Sequence, residues 1–157
     1  MRGAAVTRTS FEVLLCRAGL HFCGLPLEAV SETMRRLPVS EFASSPAFVE
    51  GLSVVRGVPM PVVNLGRLLG QASSPPASRF VSLTTGSRAL VLGVDEVVGV
   101  RRLDADDTEL PPLLGAAHAQ AVEALTTLDR ELLLVLSSAR LVPDSVWNAL
   151  SVLGASA

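Results

Sequence analysis

Residues 49–70 read VEGLSVVRGVPMPVVNLGRLLG, which contains two runs of β-branched residues on either side of an Arg-Gly pair. Runs of this kind are typical of strands, and a glycine between them supplies a positive φ at little steric cost. Arg67 and the two leucines after it indicate a short helical turn. The stretch therefore predicts a hairpin with its corner at Arg56-Gly57, followed by one turn of helix.

The same pattern occurs a second time in the chain. The segment LTTLDRELLLVLSSARLVP begins at Leu125, which aligns with Leu52 of the first copy. In this alignment Asp129-Arg130 takes the place of Arg56-Gly57, and apolar runs flank both pairs. Each copy predicts a strand, a tight turn, a strand and a short helical turn, so the chain contains an internal duplication.

The segments before the two hairpins also match each other. Residues 11–30 and 80–98 both read as strand, turn, strand and an acidic step, with the turns at Gly19 and Gly86. A Pro/Ser-rich connector at residues 73–78 separates the halves. Each half therefore predicts about five short strands, a number typical of small barrels or sandwiches, and the repeat is too long for a solenoid unit.

Helix is predicted in only two further places. Residues 143–150 begin like a helix, with Asp144 or Ser145 as its cap and Trp147 anchoring it to the body of the protein. Residues 115–123 are predicted to hold another helical turn. The fold class is therefore all-β with a few short helices.

Composition excludes several classes of function. The formal net charge is −2, aromatic residues make up 4% of the chain and all 13 basic residues are arginines, so neither a nucleic-acid footprint nor a catalytic lysine is present. Cys16 and Cys23 lie in apolar runs and are predicted to be buried, reduced thiols. No charge-free run reaches the roughly 18 residues that a spanning helix needs, so a soluble cytoplasmic protein is expected.

Motifs for chemistry are equally scarce. Neither nucleotide-binding fingerprint occurs, and no Cys/His spacing matches a zinc site. His21 and His118 are predicted to be structural, and the acidic run 104–109 is predicted to be a solvated loop. We therefore expect no catalytic residue, cofactor or metal. An enzyme or a small-molecule sensor that uses the cleft between the barrels stays as an alternative from another class.

Binding remains as the function class that these residues suit. Arg56 would project from a rigid corner, where its guanidinium can make a bidentate contact with a partner carboxylate or with backbone carbonyls. An ordinary exposed turn arginine is the alternative.

Four blocks of the chain, in order, resemble the CheW-like coupling domain of bacterial chemosensory systems. They are PLEAVSE (26–32), the stretch 45–70, LVLGVDEVVGV (90–100) and LDRELLLVLSSARLV (128–142). The resemblance covers about Phe11 to Leu141. It implies two five-stranded SH3-like β-barrels packed around a shared hydrophobic core, in a single domain over residues 1–157. Its halves would be 11–72 and 79–142, strands could be exchanged between the barrels, and 143–157 would form a C-terminal helix.

The resemblance also implies a function. Members of the family are non-catalytic scaffolds that couple the cytoplasmic tip of methyl-accepting chemoreceptors to the regulatory domain of a CheA-type histidine kinase. The implied partners are these two proteins, with no nucleic acid and no membrane insertion, and the implied location is the cytoplasm, with recruitment to receptor arrays. The receptor-binding residues carried over from the family motifs are Val30, Glu32, Gly51, Arg56, Gly57 and Val100; a further partner interface would include Val54, Val55 and Asn64.

Two departures from the family pattern define the remaining alternative. The usual Asn-Leu-Arg-Gly has Val54 in place of its asparagine, and the usual Val-Asp-Leu-Arg has Asn64 and Gly66 in place of its two charged residues. A divergent adaptor that binds the receptor but has weakened or lost kinase binding is therefore the runner-up. The small-molecule-binding or enzymatic β-barrel is the less favoured reading.

Overall fold

A computed structural model describes residues 10–41, 46–71, 73–108 and 121–148. Within these ranges it contains ten strands and a few short helical turns. The strands are β1 (Ser10–Ala18), β2 (His21–Pro26), β3 (Val30–Arg35), β4 (Val49–Val55), β5 (Val58–Asn64), β6 (Arg79–Thr85), β7 (Arg88–Val94), β8 (Glu96–Asp104), β9 (Val122–Leu128) and β10 (Glu131–Leu136). The helical segments are α1 (Leu65–Leu68), the 3₁₀ turns Leu27–Ala29, Ala105–Asp107 and Ser138–Arg140, and residues 144–148.

The ten strands form two five-stranded sheets. Barrel A has the strand order β8-β1-β2-β10-β9, and barrel B has the order β3-β6-β7-β5-β4. Barrel A thus combines the first hairpin of the chain with β8, β9 and β10, and barrel B combines β3, β4 and β5 with the hairpin β6–β7 of the second half. The two orders are the same when each strand is replaced by the strand five places away in the chain. The predicted all-β fold with two five-stranded SH3-like barrels is confirmed.

Strand register confirms the duplication residue by residue. In the β4–β5 hairpin Val55 pairs with Val58, and in the β9–β10 hairpin the equivalent residues Leu128 and Glu131 pair in the same way. Both hairpins also carry a register irregularity at the same equivalent place. The β1–β2 and β6–β7 hairpins match equally, each with a positive-φ glycine in its turn.

One apolar cluster joins the two barrels. It contains Leu14 and Leu25 from barrel A together with Leu83 and Leu92 from barrel B, all buried, and the leucines of α1 also pack into it. Each barrel has in addition a small interior of its own. The predicted shared core is therefore present, and it is the largest of the three apolar clusters among the described residues.

The C-terminal segment packs against this shared core. Val146 is buried, Trp147 is partly buried against the same cluster, and the guanidinium of Arg88 lies 5.0 Å from the centre of the Trp147 ring. Trp147 therefore anchors residues 144–148, as predicted. The predicted continuation of this helix to residue 157 lies outside the described residues.

Two other predictions have definite outcomes. Cys16 and Cys23 are buried, free thiols, as predicted, and desolvation raises the pKa of Cys16 to about 12 and raises the pKa of Cys23 as well. The helical turn predicted within 115–123 is wrong at its end, because Glu123 is extended in β9; the earlier part, including His118, lies outside the described residues.

The shared core makes a direct prediction for stability. Truncation of Leu83, which is fully buried in that core, should lower the free energy of unfolding by about 3 kcal/mol, because it removes apolar contacts and leaves a cavity. Leu20→Ala is the matched control, since that leucine is 90% exposed. Far-UV circular dichroism and Trp147 fluorescence should report one coincident unfolding transition for Leu83→Ala. Two separate transitions would contradict a core shared by both barrels.

Candidate functional site

The hairpin corner at Arg56-Gly57 is a two-residue turn with both residues in the left-handed region. Arg56 has φ 49° and Gly57 has φ 81°, and Val55 and Val58 flank them as a register pair. Positive φ at both central positions defines a type I′ turn, whose twist matches that of the adjoining strands. Glycine takes this conformation freely, whereas Arg56 is strained by about 1 kcal/mol. The turn therefore has a defined backbone conformation in which the Arg56 side chain points outward.

The guanidinium of Arg56 is held by Glu32. Nε of Arg56 donates to one carboxylate oxygen of Glu32 at 2.7 Å, and Nη2 donates to the other at 2.9 Å. The hydrogen bond lowers the pKa of Glu32 and raises that of Arg56. The Arg56 side chain nevertheless stays 79% exposed. The pair therefore orients Arg56 while leaving one side of its guanidinium open to a partner.

Glu32 is itself positioned by a bulge in β3. The register of β3 against β6 shifts between Val30 and Glu32, and the backbone N–H of Glu32 donates to the hydroxyl of Ser82 at 3.1 Å. Ser82 is buried, so its hydroxyl holds the backbone of the bulge in place from the interior of the barrel. Because β3 and β4 are the two edges of barrel B, the Glu32–Arg56 pair joins those edges.

An apolar surface surrounds the corner. Val54 is 62% exposed and Val58 is 49% exposed, and Pro59, the register partner of Val54, is also exposed. The predicted interface role of Val55 does not fit its position, because its side chain is 3% exposed and packs inside barrel B. Successive residues of a strand face opposite sides, so Val54 and Val55 could not both lie on one surface.

At Gly51 the backbone of β4 lies too close to the backbone of Ser40 to leave room for a side chain. The φ of Gly51 is 146°, and a Cβ atom at this position would clash with the backbone carbonyl of Ser40. The backbones of Ser40 and Leu52 exchange two hydrogen bonds of 2.8 Å beside it. The chain of residues 37–41 thereby covers part of the β4 edge. Gly51 allows this close approach.

The other two predicted receptor contacts lie apart in the fold. Val30 begins β3 and is partly buried against the shared core, on the same strand as Glu32. Val100 lies on β8 in barrel A, where Leu14 is its register partner, and is 52% exposed. The structure thus brings Glu32, Arg56 and Gly57 together at one corner, whereas Val100 belongs to the other sheet.

A second corner of reversed charge lies in barrel A. Asp129 and Arg130 have φ 51° and 70°, so this turn is also type I′. Asp129 accepts a hydrogen bond from Arg101 of β8 at 3.4 Å. Arg101 lies on the edge strand that corresponds to β3, so the same device recurs with the acid in the turn and the base on the edge. Sequence reasoning aligned the two turns but did not foresee this pair, because Arg101 lies far from Asp129 in sequence.

Comparisons with known proteins agree with this architecture. A family model for the CheW-like domain matches residues 12–146. Protein FrzA of Myxococcus xanthus is 34% identical over 119 residues, which cover 74% of this chain and 74% of FrzA. The chain belongs to the CheW-like family. The crystal structure of the scaffolding protein TtCheW from Thermoanaerobacter tengcongensis has the same fold, with a TM-score of 0.73, 21% identity, and coverage of 82% of this chain and 90% of TtCheW.

Asn64, which departs from the usual CheW-like pattern, is a core residue. It is 2% exposed, its side-chain oxygen accepts from the N–H of Arg67 at 3.0 Å, and its amide donates to Glu50 at 2.9 Å and to the carbonyl of Pro75 at 3.0 Å. An aspartate here would face the Glu50 carboxylate, so the asparagine suits its surroundings. Asn64 therefore caps α1 and fastens the connector, and the prediction that it contacts a partner does not fit this burial.

Glu50 is the centre of a polar cluster that the sequence did not reveal. Its side chain is 5% exposed and pairs with Arg36 at 2.8 Å, and it accepts from the N–H of Ala77 at 3.0 Å. Burial alone would raise the pKa of Glu50, but the bonds from Ala77, Arg36 and Asn64 outweigh it, so the pKa is lowered. The cluster holds the connector against the start of β4 and the end of β5, at the end of the hairpin opposite to the Arg56-Gly57 corner.

Among the residues that the structure describes, no group of three or more His, Cys, Asp or Glu side chains could hold a metal ion. No helix within the described ranges is long and apolar enough to cross a membrane.

The two glycines of the candidate site should differ in their effect on stability. Gly51→Ala should lower the free energy of unfolding by about 3 kcal/mol, because the methyl group meets the Ser40 carbonyl and φ is unfavourable. Gly57→Ala should cost only about 1 kcal/mol, since nothing lies within 4 Å of its Cβ position. Urea titration measures both values. A larger loss at Gly57 would show that the corner is more crowded than described.

The Glu50 cluster predicts a pH-dependent stability. A carboxyl group whose pKa is lowered in the folded state contributes stability above its ordinary value of 4.5, and that contribution is lost as the pH falls through the lowered value. Glu50→Gln should therefore lower the free energy of unfolding by about 2 kcal/mol at pH 7 and by much less in acid. Chemical denaturation at both pH values tests this, with Glu41→Gln as an exposed control. Equal losses at both pH values would contradict the proposed charge interaction.

Proposed function

We propose that this chain is a non-catalytic adaptor that couples the cytoplasmic tip of methyl-accepting chemoreceptors to a CheA-type histidine kinase. Membership of the CheW-like family, a chemosensory adaptor family, supports this role. The observation that carries it is the rigid corner at which Arg56 is oriented by Glu32 yet remains 79% exposed. Its location would be the cytoplasm, at receptor arrays.

The receptor tip is the partner that we assign to this corner. A helix that packs on barrel B beside the corner would cover the apolar surface of Val54, Val58 and Pro59, and a carboxylate on it would pair with the open side of the Arg56 guanidinium. The charges would set the register and specificity of docking more than its affinity. Val30 and Glu32 would border the same contact and Gly57 would shape it, whereas Gly51 would act from within the protein by holding residues 37–41 on the β4 edge. Val100, on the other barrel, would have to be reached by a different part of the partner.

We also propose that kinase binding is retained. Three changed positions favour a receptor-only adaptor, and the burial of one of them, Asn64, gives its substitution an explanation within the protein itself. The remaining changed positions are Gly66, which is buried in α1 in the place of the usual arginine, and Val54, which replaces a polar residue on the exposed face. The apolar side chain of Val54 enlarges the surface around Arg56 and removes no charge. Asn64 therefore no longer supports the receptor-only adaptor, and the lost arginine at Gly66 is the one charge difference that still does.

The test uses a soluble receptor-tip fragment and the regulatory domain of a CheA-type kinase. Isothermal titration calorimetry should show that Arg56→Glu weakens receptor binding at least tenfold, because the corner then presents a carboxylate in place of the guanidinium. Arg130→Glu makes the same charge change at the equivalent corner of barrel A and should have little effect. The midpoint of thermal unfolding should move by less than about 2 °C, since exposed ion pairs contribute little to stability.

A charge swap distinguishes contact of Arg56 with the receptor from the role of Arg56 in its ion pair with Glu32. The double variant Glu32→Arg with Arg56→Glu re-forms the pair in the polarity that Asp129 and Arg101 already have in barrel A. If Arg56 contacts the receptor, the double variant should bind as poorly as Arg56→Glu. Full recovery of receptor binding would restrict Arg56 to joining the barrel edges and would overturn its assignment. Absence of kinase binding in the unmodified protein would instead favour the receptor-only adaptor.

A further inference from the structure

The duplication allows the open ends of the two barrels to be compared residue by residue. The alignment that equates the two hairpin corners places Glu123 of β9 where Glu50 lies in β4. The alignment that equates the β1–β2 and β6–β7 hairpins places Leu103 of β8 where Arg36 follows β3. The glutamate is thus kept at both barrel ends. The arginine of barrel B is replaced by a leucine in barrel A, so the two ends differ in charge.

In barrel B, the end of the barrel at the start of β4 is filled by an arginine of the chain itself. Arg36 pairs with Glu50 at 2.8 Å, donates to the carbonyl of Ala77 at 2.8 Å, and lies with its guanidinium 5.4 Å from the centre of the Phe80 ring. The aliphatic residues that follow, Leu37 and Val39, pack against the interior of the barrel. An arginine and two aliphatic side chains thus close barrel B.

In barrel A the same place is a groove. It has a volume of about 840 Å³ and an apolar floor. Phe11, Ala124 and the buried Val135 continue the interior of the barrel, and Leu27 adds a side chain that packs against the shared core. Three exposed glutamates stand around it, and none of the described residues that line it is basic. They are Glu12, Glu28 and Glu123. Arg102, the register partner of Glu12, does not line the groove.

We propose that this acidic groove, defined by Glu12, Glu28 and Glu123 around its apolar floor, binds a segment of a partner protein in which an arginine stands beside aliphatic residues. The contact of the Arg36 guanidinium with Glu50 in barrel B is the model for the bound arginine. The chain's own residues 104–108 hold the place of residues 37–41 in barrel A, so the aliphatic residues of the partner would lie on the floor of the groove instead. A guanidinium fits carboxylates as a planar fork, and its apolar stem and aliphatic neighbours suit the floor. The groove lies beside the first residues of β9, at the end of the β9–β10 hairpin opposite to the Asp129 turn. It is separate from the Arg56 corner. The inference therefore does not depend on the proposed receptor contact.

The Arg36 segment of barrel B itself supplies a probe. A capped peptide with the sequence MRRLPVSE, which copies residues 34–41, should cause saturable chemical-shift changes in the ¹⁵N-labelled protein at Phe11, Leu27 and Ala124. A peptide with both arginines replaced by glutamine should bind at least tenfold more weakly. Absence of saturable changes with the arginine peptide at millimolar concentration, or changes centred elsewhere, would overturn the proposal.

Variants of the protein complete the test. Glu123→Lys should weaken the arginine peptide at least tenfold, whereas Glu41→Lys, which makes the same charge change on an exposed segment after β3, should not. Glu28→Lys provides a second variant, and Arg56→Glu should leave peptide binding unchanged. Equal binding to Glu123→Lys and the unmodified protein would contradict the proposed pairing. Concentration-dependent self-association in sedimentation experiments that Glu123→Lys abolishes would assign the groove to a second copy and overturn the partner claim.

Discussion

Each barrel buries one face against the other, and this apolar contact holds the two sheets in one fixed arrangement. Leu14 and Leu25 from one sheet and Leu83 and Leu92 from the other lie in the same buried cluster. Each sheet also combines strands from both halves of the sequence. Each barrel is therefore completed by strands from the other half. The two corners and the two barrel ends consequently have fixed positions on one frame, even though the residues that form them are separated by much of the chain.

Duplication gave the molecule two versions of the same device, and the side chains then diverged. At the corners, the turn-to-edge ion pair is kept while its polarity is reversed, from Arg56 with Glu32 to Asp129 with Arg101. At the barrel ends, a buried Glu50 side chain paired with Arg36 corresponds to an exposed glutamate beside a groove. The two turns and the two barrel ends thus present different charges, although the edge residues Glu32 and Arg101 do not occupy equivalent positions on their strands. Charge complementarity of this kind governs specificity more than affinity.

The sequence allowed the fold to be predicted because its strongest signals are local. Alternating apolar runs and turn pairs such as Arg56-Gly57 indicate strands and hairpins, and repetition of the pattern indicates two units. The side-chain interactions of the site are long-range, and their prediction was incomplete. Val55 was assigned to an interface and is buried, since strand alternation determines which valine of the pair faces outward. Asn64 was interpreted as a lost charge, but its partner Glu50 is identifiable only once the register of β4 and β5 is known.

We propose that the Arg56 corner, held by the shared core and oriented by Glu32, contacts the chemoreceptor. Titration of the ¹⁵N-labelled protein with a receptor-tip fragment, followed by amide chemical shifts, would locate the contact. We expect the largest shifts at Glu32, Val54, Arg56 and Gly57, with the equivalent residues 127–131 of barrel A unaffected. Shifts confined to barrel A, with the Arg56 corner unchanged at saturation, would contradict the account.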